Sequence, residues 1–240
     1  MEPQDGDLEW RFFHRCNNSG QTYGDLRRGG SVKEESESRS PSGQVPRVID
    51  LSQAPGERKA WDKPRLIVYL WALVELLLVS NPFQISSSLR VKALQLFGAE
   101  IGTGVIFRPR TRVKFPWKLH VGDRCWIGEG VWIHNQDHVY VGSDVVLSQD
   151  AFLTTGSHSV RTDMGLVTKP IRIGNGAWIT SRCIVLGGAT IGEAAIITPN
   201  TVVRTGLYVP PESIFGQPDP QILGSRYKPS LAENESGDRN

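Results

Sequence analysis

Ile173-Gly-Asn-Gly-Ala-Trp-Ile179-Thr-Ser-Arg-Cys-Ile-Val185-Leu-Gly-Gly-Ala-Thr-Ile191-Gly-Glu-Ala-Ala-Ile-Ile197-Thr-Pro-Asn-Thr-Val-Val203 is the stretch that decides the fold. Every sixth residue in it is aliphatic. Working outward to the N-terminal side, the same step recurs in three shorter runs: Ile101, Phe107, Val113 and Leu119; Val121, Ile127 and Ile133; Val141, Leu147 and Leu153. All sixteen positions are apolar in a chain that is only 39% apolar. Gly follows the apolar residue at 102, 122, 128, 142, 174 and 192. A six-residue period is one flat strand plus a tight corner, and three such units close a triangular coil with the apolar residue inside. Coils of this kind stack at the inter-strand spacing of about 4.8 Å. No coil can bury its face alone, so several must stack. The run 101–203 allows five to six. The expected fold class is therefore all-β, a parallel β-helix over 100–206, interrupted by skips at 119–121 and 133–141 and by a long loop at 156–172. Excursions from a rigid scaffold are where function tends to sit.

Around this core the chain divides further. Residues 1–46 are rich in charge, Ser and Gly and are expected to be a disordered tail. The segment 47–99 is expected to be helical: Pro64 precedes an apolar run, Arg65–Val79, that ends near Asn81-Pro82, and Ser87–Phe97 forms a second helix closed at Gly98. The apolar run is too short for a membrane span, which needs about 20 residues, and it contains Glu75. Packing on the next element or on a neighbouring subunit is one expectation for it. Peripheral membrane contact through 65–79 is the other. Residues 207–228 are expected to be a C-terminal extension and 229–240 a second tail. A net charge of +2 gives no electrostatic argument for nucleic acid. Three scattered cysteines, with no apolar leader at the N-terminus, point to a reducing cytoplasm.

His158, in Thr154-Thr-Gly-Ser-His158, stands where the long loop leaves the coil. Acyl transfer from a thioester to an alcohol needs a base for the hydroxyl and a donor for the developing oxyanion, and a histidine supplies the first near neutral pH. His134 and His138 with His158 raise a zinc reading of the γ-carbonic-anhydrase kind, but their four-residue spacing does not match that class. No metal is expected. In Gly176-Ala-Trp-Ile-Thr-Ser181 the register puts Ile179 inside and Trp178 outside.

Leu96-Phe-Gly-Ala-Glu-Ile-Gly102, Phe115-Pro-Trp-Lys-Leu119, Leu147-Ser-Gln149, Thr155-Gly-Ser-His158, Thr168-Lys-Pro-Ile171 and Gly176-Ala-Trp178 together resemble the hexapeptide-repeat acetyltransferases, the colanic acid biosynthesis branch most of all. The resemblance implies a left-handed β-helix and an O-acetyltransferase using acetyl-CoA on a sugar hydroxyl in exopolysaccharide biosynthesis. It implies His158 as general base, the Ser181 N–H facing the thioester oxygen, and Trp178 bordering the CoA groove. Pro199, Arg204, Thr205 and Arg226 fall where such enzymes hold the rest of CoA, and Asn135, Gln136 and Asp137 where they bind the saccharide. It also implies a homotrimer with active sites between subunits. The chain departs from the pattern at Gln136, where relatives carry Asp, and at Gly216-Gln-Pro218-Asp-Pro220, where a cation is missing. These departures leave the reaction class standing and motivate one alternative, a β-helix scaffold that has lost its activity.

Overall fold

The computed structural model describes residues 48–217. Both expected tails, and Arg226 with them, lie outside the described residues. The first coil is β1 (Glu100–Ile101), β2 (Ile106–Phe107) and β3 (Arg112–Val113). The second is β4 (Leu119–Val121), β5 (Trp126–Ile127) and β6 (Trp132–His134). The third is β7 (Val139–Val141), β8 (Val146–Leu147) and β9 (Phe152–Thr154). A hairpin of β10 (Gly156–His158) and β11 (Leu166–Thr168) then leaves the coil. The fourth coil is β12 (Ile171–Ile173), β13 (Trp178–Ile179) and β14 (Ile184–Leu186). The fifth is β15 (Thr190–Ile191), β16 (Ile196–Ile197) and β17 (Val202–Val203), and β18 (Tyr208–Val209) and β19 (Ile214–Phe215) begin a sixth. Successive coils pair in parallel along three faces: β1-β4-β7-β12-β15-β18, β2-β5-β8-β13-β16-β19 and β3-β6-β9-β14-β17. This is the left-handed parallel β-helix of the sequence reading.

The inward column is the repeat. Phe107, Val113, Ile127, Ile133, Leu147, Leu153, Ile179, Val185, Ile197 and Val203 are all 0% exposed. Burial on this scale stabilises by about 1.5–3 kcal/mol per side chain. Two sequence-derived boundaries move. The stack does not end at 206, because Val209 and Phe215 continue the six-residue step from Val203 and pair on the fifth coil. The two-residue skips are first-face strands, β4 and β7, that each turn two side chains inward: Leu119 with Val121, Val139 with Val141.

Two corners are invariant. Four residues separate each first-face strand from the next second-face strand, and four separate each second-face strand from the third face. Each carries one left-handed residue per coil: Gly104, Arg124, Asp144, Gly176, Ala194 and Glu212 in one column, Arg110, Gly130, Asp150, Arg182 and Asn200 in the other. The Gly after the aliphatic residue serves a different need. A Cβ on Gly122 would stand 2.6 Å from the Ser143 nitrogen of the coil above. Close stacking, not backbone torsion, excludes a side chain there.

Hydrogen bonds between coils run along the prism axis, so the outward N–H and C=O groups of the first coil need partners from elsewhere. Two helices supply them. The expected Arg65–Val79 helix is α1 (Arg65–Val74) running into a π turn (Glu75–Val79), and α2 spans Ser87–Leu96. Ser86 caps α2 through its Oγ, and Gly98 ends it at φ +93°. On the open edge of β3, Trp71 Nε1–H donates to the Val113 carbonyl at 2.9 Å, and the Glu75 carboxylate accepts from the Val113 N–H at 2.7 Å. On β2, the Phe107 N–H donates to Ser87 Oγ and the Phe107 carbonyl accepts from the buried Arg90. On β1, Gln95 Nε2–H donates to the Ile101 carbonyl at 2.9 Å. The helices are the end cap of the prism.

Burial raises the Glu75 pKa above the ordinary glutamate value, against the lowering effect of the Val113 N–H and of Arg112 and Lys114. A raised carboxyl pKa means the folded chain holds its proton to higher pH than the unfolded chain. Stability from this group is therefore greatest at low pH and is lost as pH rises through the folded pKa. Glu75→Gln keeps the acceptor and should flatten this dependence in denaturant titrations across the weakly acidic range. Glu75→Leu, which orphans the Val113 N–H, should cost about 1–3 kcal/mol. Equal stability of the two variants would remove Glu75 from the cap.

Candidate active site

The third corner, between the third and first faces, is where the coil varies. Its connections are 114–118, 135–138, 155–170, 187–189 and 204–207. Each excursion sits above the last along one edge of the prism, and six of the expected site residues lie in them: Asn135, Gln136, Asp137, His158, Arg204 and Thr205.

His158 ends β10, exposed, opposite Leu166. Its Nδ1 lies 2.8 Å from the Met164 carbonyl. A carbonyl only accepts, so Nδ1 carries the hydrogen and Nε2 keeps its lone pair in the neutral ring. The hairpin tip is held by its own bonds: Asp163 Oδ1 accepts from the Gly165 N–H and the Thr162 hydroxyl, which holds the Asp163 carboxyl below its ordinary pKa. His158 lines a pocket of about 200 Å³ with Ser157, Lys169, Leu186, Gly187 and Thr205. Thr205 thus lines the same pocket as His158 from two coils away. Arg204 is exposed in the same corner.

The segment 135–138 divides by role. Asn135 is fully buried, its Oδ1 accepting from the Phe115 N–H at 3.0 Å and its Nδ2 donating to the Phe115 carbonyl at 2.7 Å. Both amide groups are engaged, so Asn135 holds the corner and offers nothing to a ligand. Gln136 packs against Gly156, where a Cβ would collide with Gln136 Oε1. Its Nε2–H donates to Glu57 at 2.8 Å. Asp137 is partly exposed and accepts from the His138 N–H. Gln136, Asp137 and His138 wall a groove of about 590 Å³ whose other side is the strap 55–62 and the hairpin residues Asp163, Leu166 and Thr168. Buried Lys118 fastens the strap, donating to the carbonyls of Ala60 and Gln136 (2.5 and 2.7 Å) and pairing with Asp62 at 2.9 Å. The roles of Glu57, Asp62 and Lys118 are not readable locally, because their partners lie 18 to 79 residues away.

Trp178, Ser181 and Pro199 form a second group. Trp178 faces outward from the second face as its register requires, 46% exposed, with Nε1–H donating to Ser148 Oγ at 2.8 Å. Ser181 lies in the corner between the second and third faces, directly below Pro199: the Asn200 N–H donates to the Ser181 carbonyl. Pro109, Glu129, Gln149, Ser181 and Pro199 share one turn position, each just before the left-handed residue. Pro109 and Pro199 have no N–H. That of Ser181 has no acceptor among the described residues. The whole third face separates this group from His158, so one chain does not bring His158 and the Ser181 amide together.

The three histidines of the zinc reading have separate partners. His134 Nδ1 meets Thr154 Oγ1 at 3.3 Å, His138 Nδ1 meets His120 Nε2 at 2.9 Å, and His158 meets Met164. Burial lowers the His134 pKa. Among the described residues no group of three metal-ligating side chains converges.

In comparison with known proteins, the WcaF protein of Escherichia coli K12, named as a colanic acid biosynthesis acetyltransferase, is 31% identical over 157 residues, 65% of this chain and 85% of that protein. The chain belongs to the hexapeptide-repeat acetyltransferases. It is an acyltransferase. Within the family, the galactoside O-acetyltransferase of Escherichia coli K12 is 22% identical over 139 residues, 56% of this chain and 66% of that protein. Solved folds agree. A hexapeptide-repeat acetyltransferase of Vibrio cholerae complexed with acetyl coenzyme A superposes with TM-score 0.57 at 22% identity, covering 68% of this chain and 88% of the other. A galactoside acetyltransferase in complex with coenzyme A gives 0.55 at 19%, covering 68% and 78%. No family model matches the chain.

The Gly156–Gln136 contact links hairpin and strap. Gly156→Ala should push Gln136 off Glu57, cost about 1–3 kcal/mol and speed hydrogen exchange of the amides of residues 57–62. Exchange at the wild-type rate in the strap would show that Gln136 does not hold it.

Proposed function

We propose that the chain transfers an acetyl group from acetyl-CoA to a hydroxyl of a saccharide in exopolysaccharide biosynthesis, with His158 as the general base. The observation that carries this reading is the His158–Met164 hydrogen bond, which leaves Nε2 unprotonated on an exposed hairpin beside an acceptor-sized groove. The family names support the acceptor class: galactoside O-acetyltransferase in one relative, colanic acid biosynthesis in another. Two related folds were solved with acetyl-CoA or CoA.

In this reading Nε2 takes the proton of the sugar hydroxyl as its oxygen attacks the thioester carbonyl carbon. The carbonyl oxygen gains charge and accepts from the Ser181 N–H. Collapse breaks the C–S bond, and the imidazolium returns the proton to the departing thiolate. The products are an O-acetyl sugar and CoA. Trp178 borders the pantetheine arm, with Pro199 beyond it. Arg204 and Thr205 face the rest of CoA, and Arg226 is the remaining candidate for its phosphates. Asp137 and the strap around Gln136 contact the sugar. Because His158 and Ser181 lie on different edges, each site is assembled between neighbouring subunits of a homotrimer. The exposed Trp126, Trp178 and Ile214 on the second face support such packing. Two buried free thiols, Cys125 and Cys183, fit a cytoplasmic setting.

His158→Ala should lower kcat at least about 10²-fold with the trimer intact; unchanged turnover, read as free thiol release, would sink the assignment. Ser181→Pro removes the N–H by installing the residue already present at Pro109 and Pro199, and should cost about 10²–10³-fold. A mixture of the two inactive variants, dissociated and reassembled, should regain activity. A mixture that stays inactive would count against a shared site.

A further inference from the structure

The cap helix has a second side that its structural role does not use. Trp71, Glu75 and Val79 turn inward onto the first coil. Leu66, Leu70, Leu73, Leu76 and Leu77 form the opposite stripe at helical spacing and are 45–76% exposed. Phe83 and Ile85, in the connection to α2, are 91% and 86% exposed. Since the inner side meets the open edge of the first coil, the leucine stripe faces away from the stack, beyond the end of the prism. Among the described residues no helix is long and apolar enough to cross a membrane.

Charge decides what fits this stripe. The segment leading into α1 carries Arg58, Lys59, Lys63 and Arg65, none of them in an ion pair among the described residues. Its two carboxylates are exposed but already partnered within the protein, Glu57 by the Gln136 amide and Asp62 by buried Lys118. From Arg65 to Val74 there is no acidic residue, and the half-buried Glu75 carboxylate is engaged by the Val113 N–H. The end of the molecule therefore presents a leucine stripe flanked by unmatched cations. A second copy meeting this patch through a two-fold contact would set the same cations against each other. An anionic bilayer complements both features. The leucines enter the acyl boundary while the cations stay at the headgroups, as in helices that lie in the interface plane.

We infer that α1 docks the enzyme, end-on, to an anionic membrane surface through Leu66, Leu70, Leu73, Leu76 and Leu77, with Lys63 and Arg65 at the headgroups. This does not depend on the reaction proposed above. The test is vesicle flotation of the full chain, with phosphatidylglycerol–phosphatidylethanolamine vesicles against phosphatidylcholine alone. Binding should be confined to the anionic vesicles and weaken with salt. Lys63→Ala with Arg65→Ala should weaken it about fivefold per cation removed, and Leu70→Glu with Leu73→Glu should abolish it. Thiol release with a soluble acceptor and light scattering show whether each variant keeps its fold and assembly state. Wild-type protein that stays off anionic vesicles, or binding indifferent to both double variants, overturns the inference. So does a Leu70→Glu, Leu73→Glu protein that stays folded but falls apart into smaller species, because the stripe is then a contact between copies.

Discussion

A coil whose hydrogen bonds all run along its own axis must end somewhere, and the first coil here ends on side chains. Ile101, Phe107 and Val113, the first three members of the six-residue repeat, turn their outer backbone groups toward Gln95, Ser87 with Arg90, and Trp71 with Glu75. An unsatisfied buried N–H or C=O costs as much as a well-made contact gives. Without this cap the stack would present three open strand edges, and every later coil registers on the one below it. The polar residues inside the two helices are therefore the condition on which the prism stands.

Much of this was legible in the residues. The period of six gives the inward column almost position by position, since only apolar side chains fit inside the prism. The C-cap preference for glycine puts Gly98 at the end of α2, and the period puts Trp178 on the outside. It stopped short at Val203 although Val209 and Phe215 keep the step, because the flanking residues there no longer look like a repeat. Glu75 stood out in its apolar run, but nothing local says that its partner is a backbone amide at 113. The strap is harder still. Glu57, Asp62 and Lys118 are ordinary charged residues until the fold puts Gln136 among them. Asn135 resembles a ligand-binding residue by position, and its burial against Phe115 is visible only in three dimensions.

The division of the expected site residues has a physical basis. A triangular prism has three edges, and residues on different edges cannot meet across a filled core. His158, Gln136, Asp137 and Thr205 share one edge; Ser181 and Pro199 share another. In the proposed reading, with His158 as base and the Ser181 N–H as oxyanion donor, the two act on one molecule only when the edges of two prisms are brought side by side. The rigidity of the scaffold then becomes an advantage, because neither edge has to reorganise when the partner arrives.

Two corners keep four residues in every coil and hold a left-handed residue each time, whereas the third takes three to sixteen. A change of length in either regular corner would shift the next inward residue to the outside and throw every coil above it out of register. The third corner absorbs length without that penalty. Lineages of this fold can thus exchange segments along a single ridge, as tools are exchanged on a rack, and leave the column of apolar residues untouched.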